Sequence, residues 1–214
     1  MGRFFILMGR RTLVIFLILS VGILHAQKVI RKTIADPSST RLLIDAEHCF
    51  KIELTTVESE ELIIEAKIDG EYRNDLLINI EELDATIKLS AGFQPNFVKP
   101  NDKLSAHKVI SIALKIKAPQ SLDVHLYGTS CNVNAIGSYN SLRISLDDGI
   151  CFLDTVSENT SVDSNSGDIH LKSKGATIEA RSNFGKVTSD RIPYGNNYFR
   201  LSTVTGNIYL TKIE

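Results

Sequence analysis

Ser166-Gly167-Asp168-Ile169-His170-Leu171 has a counterpart 18 residues earlier, Asp148-Gly149-Ile150-Cys151-Phe152-Leu153. It has another 18 residues later, Phe184-Gly185-Lys186-Val187-Thr188-Ser189, and a fourth at Thr205-Gly206-Asn207-Ile208-Tyr209-Leu210. The last gap is 21 residues and contains the turn-rich Pro193-Tyr194-Gly195-Asn196-Asn197. Stepping back 18 from Gly149 reaches Cys131, so Cys131, Gly149, Gly167, Gly185 and Gly206 form one column of corners. Glycine suits such a column because a sharp corner favours positive φ.

Working outward from the corner, two positions on lie Val133, Cys151, Ile169, Val187 and Ile208; four on lie Ala135, Leu153, Leu171, Ser189 and Leu210. Five positions back lie Leu126, Ile144, Val162, Ala180 and Leu201. Apolar positions spaced by two belong to strands with one buried face. Each repeat therefore predicts two short strands joined at the corner. One repeat buries too little to fold alone, and stacking at about 4.8 Å supplies the missing contacts. The expectation is an all-β, single-stranded β-solenoid (β-helix) with rungs of about 18 residues over 120–214. The core ladder is then Val133, Cys151, Ile169, Val187 and Ile208. A β-sandwich of irregular hairpins is the alternative, and the handedness of the coil stays open.

Residues 41–119 contain further alternating runs, among them Ile110, Ile112, Leu114 and Ile116, closed by Ala118-Pro119. This region is expected to be β-structure covering the first rung, in one continuous domain 41–214 or as a separate small β-sandwich. Residues 27–40 are polar and read as a mobile lead-in. Residues 1–26 read as a secretory signal peptide: Arg10-Arg11, an apolar run from Thr12 to Leu24, and Ala26 before Gln27. That run is shorter than the ~20 residues that span a bilayer. The formal charge of −1 becomes −4 once Arg3, Arg10 and Arg11 are removed. Periplasm, cell surface and extracellular space all fit; a nucleic-acid partner does not, because no basic stripe is present, and no transmembrane segment is expected in the mature chain.

The run Ile112-Ala113-Leu114-Lys115-Ile116-Lys117-Ala118-Pro119, followed by Ser166-Gly167-Asp168-Ile169 and Thr205-Gly206-Asn207-Ile208, resembles the bacterial putative-adhesin family of exported β-strand-repeat proteins. The resemblance spans roughly residues 42–214. It implies an exported β-solenoid and a binding role. The sequence departs from the pattern at Cys131, where the corner glycine is missing.

The motifs of catalysis and metal binding are not met. No His-x3-His or Cys-x2-Cys spacing, no Gly-x-Ser-x-Gly elbow and no phosphate loop occurs in the chain. Asp147, Asp148, Asp154, Asp163 and Asp168 fall in or near rung corners, where Asp solvates turns. No catalytic residue, metal site or cofactor is expected. Cys131 and Cys151 are placed ~8 Å apart by one strand spacing and two residues, beyond disulfide reach. Cys151 is expected to be a small core residue, with Cys131 unpaired and Cys49 undetermined.

Candidate binding residues lie three positions past the corner: Asn134, Phe152, His170, Thr188 and Tyr209. Parity turns these outward, so Phe152, His170 and Tyr209 form an exposed ladder that could stack on sugar rings or a partner edge. Phe93 and Phe97, in the Pro-containing stretch 92–103, are a second candidate surface. The functional expectation is a non-enzymatic, adhesin-like binding module with a glycan or an envelope protein as partner. The alternatives are a structural envelope protein assembling through its end rungs and a glycan-active enzyme. Lys212 and Glu214, in the last rung, would discourage edge pairing there.

Overall fold

The computed structural model describes residues 27–34, 39–97, 110–120 and 122–214. Among these, all helical or extended regular structure is strand. The strands are β1 (Lys28–Ile34), β2 (Arg41–Asp45), β3 (Cys49–Val57), β4 (Leu62–Gly70), β5 (Leu76–Leu83), β6 (Thr86–Phe93), β7 (Ile110–Pro119) and β8 (Asp123–Ser130). They continue with β9 (Asn132–Asp148), β10 (Cys151–Ser164), β11 (Ile169–Ser173), β12 (Thr177–Ser182), β13 (Val187–Ser189), β14 (Tyr198–Thr203) and β15 (Ile208–Lys212). The alternation that makes them strands is visible in β7, where Ile112, Leu114, Ile116 and Ala118 are buried between outward Lys115 and Lys117.

Two ladders run through the molecule. The first is ordered β1-β4-β7-β3-β9-β10-β11-β15-β13. The second is β5-β6-β2-β8-β9-β10-β14-β12. Long β9 and β10 serve both, each with its first half in one ladder and its second half in the other. β9 bends at Gly137, whose φ is +114° and where a side chain would collide with Thr56. Every pairing from β7 through β13 and from β6 through β12 is parallel. The antiparallel strands β1, β4 and β5 sit at one end.

Between the ladders runs one hydrophobic core reaching from Leu42 to Leu210. Its first column is Ile52, Val133, Cys151, Ile169 and Ile208, in register and each at most 1% exposed. Its second column is Leu42, Val124, Leu142, Thr160 and Phe199, all buried. Burial of each aliphatic side chain contributes roughly 1.5–3 kcal/mol against chain entropy.

The order of the final strands departs from the order of the chain. β15, not β13, pairs with β11, and β14, not β12, pairs with β10. The last repeat is inserted inside the one before it. Val187 is consequently not a core residue: it belongs to the outermost strand and is 43% exposed. Lys212 and Glu214, for the same reason, do not guard the edge. The apolar content of the strands explains the exchange. β14 and β15 carry Phe199, Leu201, Ile208 and Leu210, whereas β12 and β13 offer Ile178, Ala180, Val187 and Ser189. The richer pair takes the two-sided position. The 193–197 insertion lets the chain double back and lies against the start of β12, with Ala176 N–H donating to the Pro193 carbonyl and Thr177 N–H to that of Asn197.

Two further expectations are corrected. Residues 28–34 are not a mobile lead-in but edge strand β1, paired along its length with β4. The corner glycines answer mainly to close backbone approach. Only Gly149 of the four has positive φ, at 105°. A Cβ on Gly167 would overlap the Gly149 carbonyl oxygen, one on Gly206 that of Gly167, and one on Gly185 that of Gly206.

Candidate binding groove on the first ladder

Because β15 lies beside β11, Tyr209 falls next to His170, and the outward column reads Asn134, Phe152, His170, Tyr209, Thr188. The Phe152 and His170 rings stack at 4.7 Å and 22°, and those of His170 and Tyr209 at 4.6 Å and 15°. These separations match the spacing between strands, so backbone register sets the stack. Burial holds the His170 pKa below its ordinary value, against a smaller opposing effect of Asp168. Its ring is therefore neutral at physiological pH and packs as an aromatic spacer.

Face-to-face stacking consumes most of the faces of this ladder. His170 has a ring on both sides; Phe152 is covered by His170 on one side and meets only the slim Asn134 on the other. The open face of Phe152, itself 40% exposed, looks into a groove of about 440 Å³. Lys51, Asn132, Asn134, Ile150, Asp154 and Lys172 also line the groove. Asp154 and Lys172 form an ion pair at 3.4 Å within this lining. Asn132 Oδ1 accepts from the Ile150 N–H at 2.9 Å, which fixes the orientation of this amide. A flat apolar face beside amides and charges of both signs suits a small, polar, ring-shaped group.

A larger groove of about 580 Å³ lies on the second ladder around Tyr127, which is 52% exposed. Asp45, Glu47, Asp147 and Asp163 rim it, with no cationic side chain in its lining. Sequence reasoning passed over Tyr127. Its signal was an aromatic at an outward position otherwise held by Ser145, Asp163 and Ser202.

Phe93 and Phe97 are not brought to the ladder. They stack on each other at 4.2 Å, and Tyr72 packs edge-on against both. Phe93 is half-buried against the core. The pair thus packs the end of β6 onto the 71–75 turn. Residues 98–103 of that stretch lie outside the described residues. The corner aspartates are engaged in contacts between strands: Asp147 accepts from Asn165 Nδ2 at 2.9 Å, Asp148 from Ser166 Oγ at 3.0 Å, and Asp168 from the Asn207 N–H at 2.7 Å. All three cysteines are buried free thiols, and burial pushes the pKa of each up to about 12. Among the described residues no cluster of three His, Cys, Asp or Glu side chains is placed to hold a metal, and no helix is long and apolar enough to cross a membrane.

The fold is similar to that of a putative cell adhesion protein from Clostridium sporogenes. The two superpose with a TM-score of 0.66 and 15% identity, over 88% of this chain and 100% of that one. The resemblance read from residues 112–119 and the Gly-centred repeats therefore holds at the level of fold. A putative adhesin from Bacteroides fragilis aligns over 88% of this chain and 98% of its own, at 13% identity and a TM-score of 0.40. One from Parabacteroides merdae aligns over 87% and 97%, at 14% identity and 0.30. These two superpose too loosely to add to the argument. No protein-family model and no curated protein matches the sequence.

Proposed function

We propose that this chain is an exported, non-enzymatic, adhesin-like binding protein, built as a β-solenoid, that takes a glycan on the open face of Phe152. Export, to periplasm or cell surface, rests on the basic-then-apolar segment 1–26. The solenoid reading is supported by parallel register running through β8, β9, β10 and β11 at 18-residue intervals. The fold shared with the putative cell adhesion protein of Clostridium sporogenes is compatible with the binding role.

One observation carries the choice of site. Phe152 is the end ring of a stacked series, held rigid by His170 behind it and open in front. A ring fixed before binding loses little freedom on binding. The amides and the Asp154–Lys172 pair then hydrogen-bond the hydroxyls of a sugar laid on that face. The acidic groove at Tyr127 has no such backing among its lining residues.

A glycan array, followed by calorimetry on the hits, tests this. Phe152→Ala is expected to abolish binding. Tyr209→Ala, two rings behind, is expected to weaken it only several-fold by loosening the stack. Binding that survives Phe152→Ala, or no binding to any glycan, contradicts the proposal.

A further inference from the structure

We propose that two copies of the chain join as an isologous dimer through β12, paired antiparallel about Ala180. Among the described residues β12 pairs with β14 alone and β13 with β15 alone, so the outer side of both is an open edge. Such an edge is a template for another strand unless it is blocked. Two of those blocks are missing from β12: Thr177-Ile178-Glu179-Ala180-Arg181-Ser182 contains no proline and no lysine, and its two charges are of opposite sign. Apolar groups remain uncovered beside it. Phe184 is 82% exposed and Val187 43%.

The occupant is indicated by the pattern of charge. Glu179 and Arg181 are exposed on one face of β12, two residues apart, while Ile178, Ala180 and Ser182 on the other face are half-buried. Antiparallel pairing about Ala180 sets Glu179 opposite Arg181 of the second copy and Arg181 opposite its Glu179. Two opposite-charge cross-strand pairs form from a single strand sequence. Glu179 also lies 3.6 Å from Arg200 on the next strand inward. A charged row would thus cross the joint from Arg200 through Glu179 to Arg181 of the second copy. On the other face, Ile178 meets Ser182 of the second copy, and the half-buried side continues across. Phe184 falls opposite Ala176 of the second copy.

The opposite end of the molecule does not offer this match. Of its two edge strands, β1 carries the bases Lys28, Arg31 and Lys32 with no acid, and β5 carries the acids Glu81 and Glu82 with no base, so self-pairing of either forms no opposite-charge pair.

Sedimentation velocity and light scattering on the full chain, expressed for export and purified, test the dimer across a concentration series. The expected result is a species of twice the monomer mass. Arg181→Glu is expected to weaken it by about 10-fold or more, because two opposite-charge pairs become like-charge pairs. The double reversal Glu179→Arg/Arg181→Glu restores complementarity and is expected to restore the dimer. A monomer at every concentration, open-ended growth, a dimer indifferent to Arg181→Glu, or a double reversal no tighter than the single variant would each overturn the proposal.

Discussion

Replacing Gly167 with alanine tests why glycine occupies the corners. The new Cβ would lie inside 3.0 Å of the Gly149 carbonyl oxygen and carbon and at 3.0 Å from Ser164 Oγ. Ser164 Oγ also accepts from the Gly167 N–H at 2.9 Å, so the corner is tied from a second side. The obstacle is backbone on the adjoining strand pair, held by strand spacing of about 4.7–4.9 Å. Relief requires displacing that backbone by roughly 1 Å, and overpacking of this kind costs about 3 kcal/mol. For a domain of this size the melting temperature should fall by about 6–12 °C. Gly92→Ala is the control, because a Cβ there meets nothing within 4 Å. It should alter stability by less than about 1 kcal/mol. Thermal unfolding followed by circular dichroism reads both variants. A Gly167→Ala protein melting within about 2 °C of the parent would refute the close-approach argument.

Other outcomes follow from burial and titration. Ile208→Ala, at a fully buried position between β11 and β13, should cost about 2–5 kcal/mol. Val187→Ala on the exposed outer strand should cost under about 1 kcal/mol, as denaturant melts can show. The His170 pKa is lowered in the folded state by burial, so the unfolded chain binds the proton more tightly. The stability this group contributes is full above the unfolded value near 6.5 and is lost as pH falls through the folded value. His170→Asn should flatten that part of the stability–pH profile, with the ring titration followed by NMR. Native protein should take up no alkylating reagent at pH 8, and unfolded protein three equivalents, because Cys49, Cys131 and Cys151 are buried with pKa values near 12. A native mass showing adducts would contradict the burial, and a mass lower by two hydrogens would contradict the assignment of three free thiols.

What the sequence made legible were the columns, because period-two burial leaves a mark at every repeat. Ile169 and Ile208 were placed among core residues by spacing alone, as was the outward turn of Phe152, His170 and Tyr209. What it concealed was spatial order. Two successive repeats with the same pattern look equivalent in a column, and chain order was the natural assumption. The visible clue was polarity: Thr188 and Ser189, preceded by Lys186, make β13 the poorer strand, fit for an end, while Tyr209 and Leu210 make β15 fit for the interior. The strand pair β2–β3 also escaped as a continuation of the repeat. Leu42, Ile44, Ile52 and Leu54 alternate correctly, but Cys49 and Phe50 stand where a corner glycine would have given the 18-residue signature. Stacking direction was hidden too, since parity fixes which way a ring leaves the strand and not that its faces close on its neighbours.

The ring stack behind Phe152 depends on β15 lying between β11 and β13, just as the open edge of β12 depends on β14 lying between β10 and β12, and disulfide trapping reads the first of these directly. His170→Cys paired with Tyr209→Cys puts the two Cα atoms on adjacent strands, about 4.8 Å apart, within disulfide range. His170→Cys paired with Thr188→Cys puts them two strands apart, at about 9.6 Å, outside it. Oxidation of each folded variant, followed by peptide mass mapping, is predicted to link 170 to 209 in the first and leave 170 and 188 unlinked in the second; a 170–188 bond in the second together with free thiols in the first would contradict the strand order.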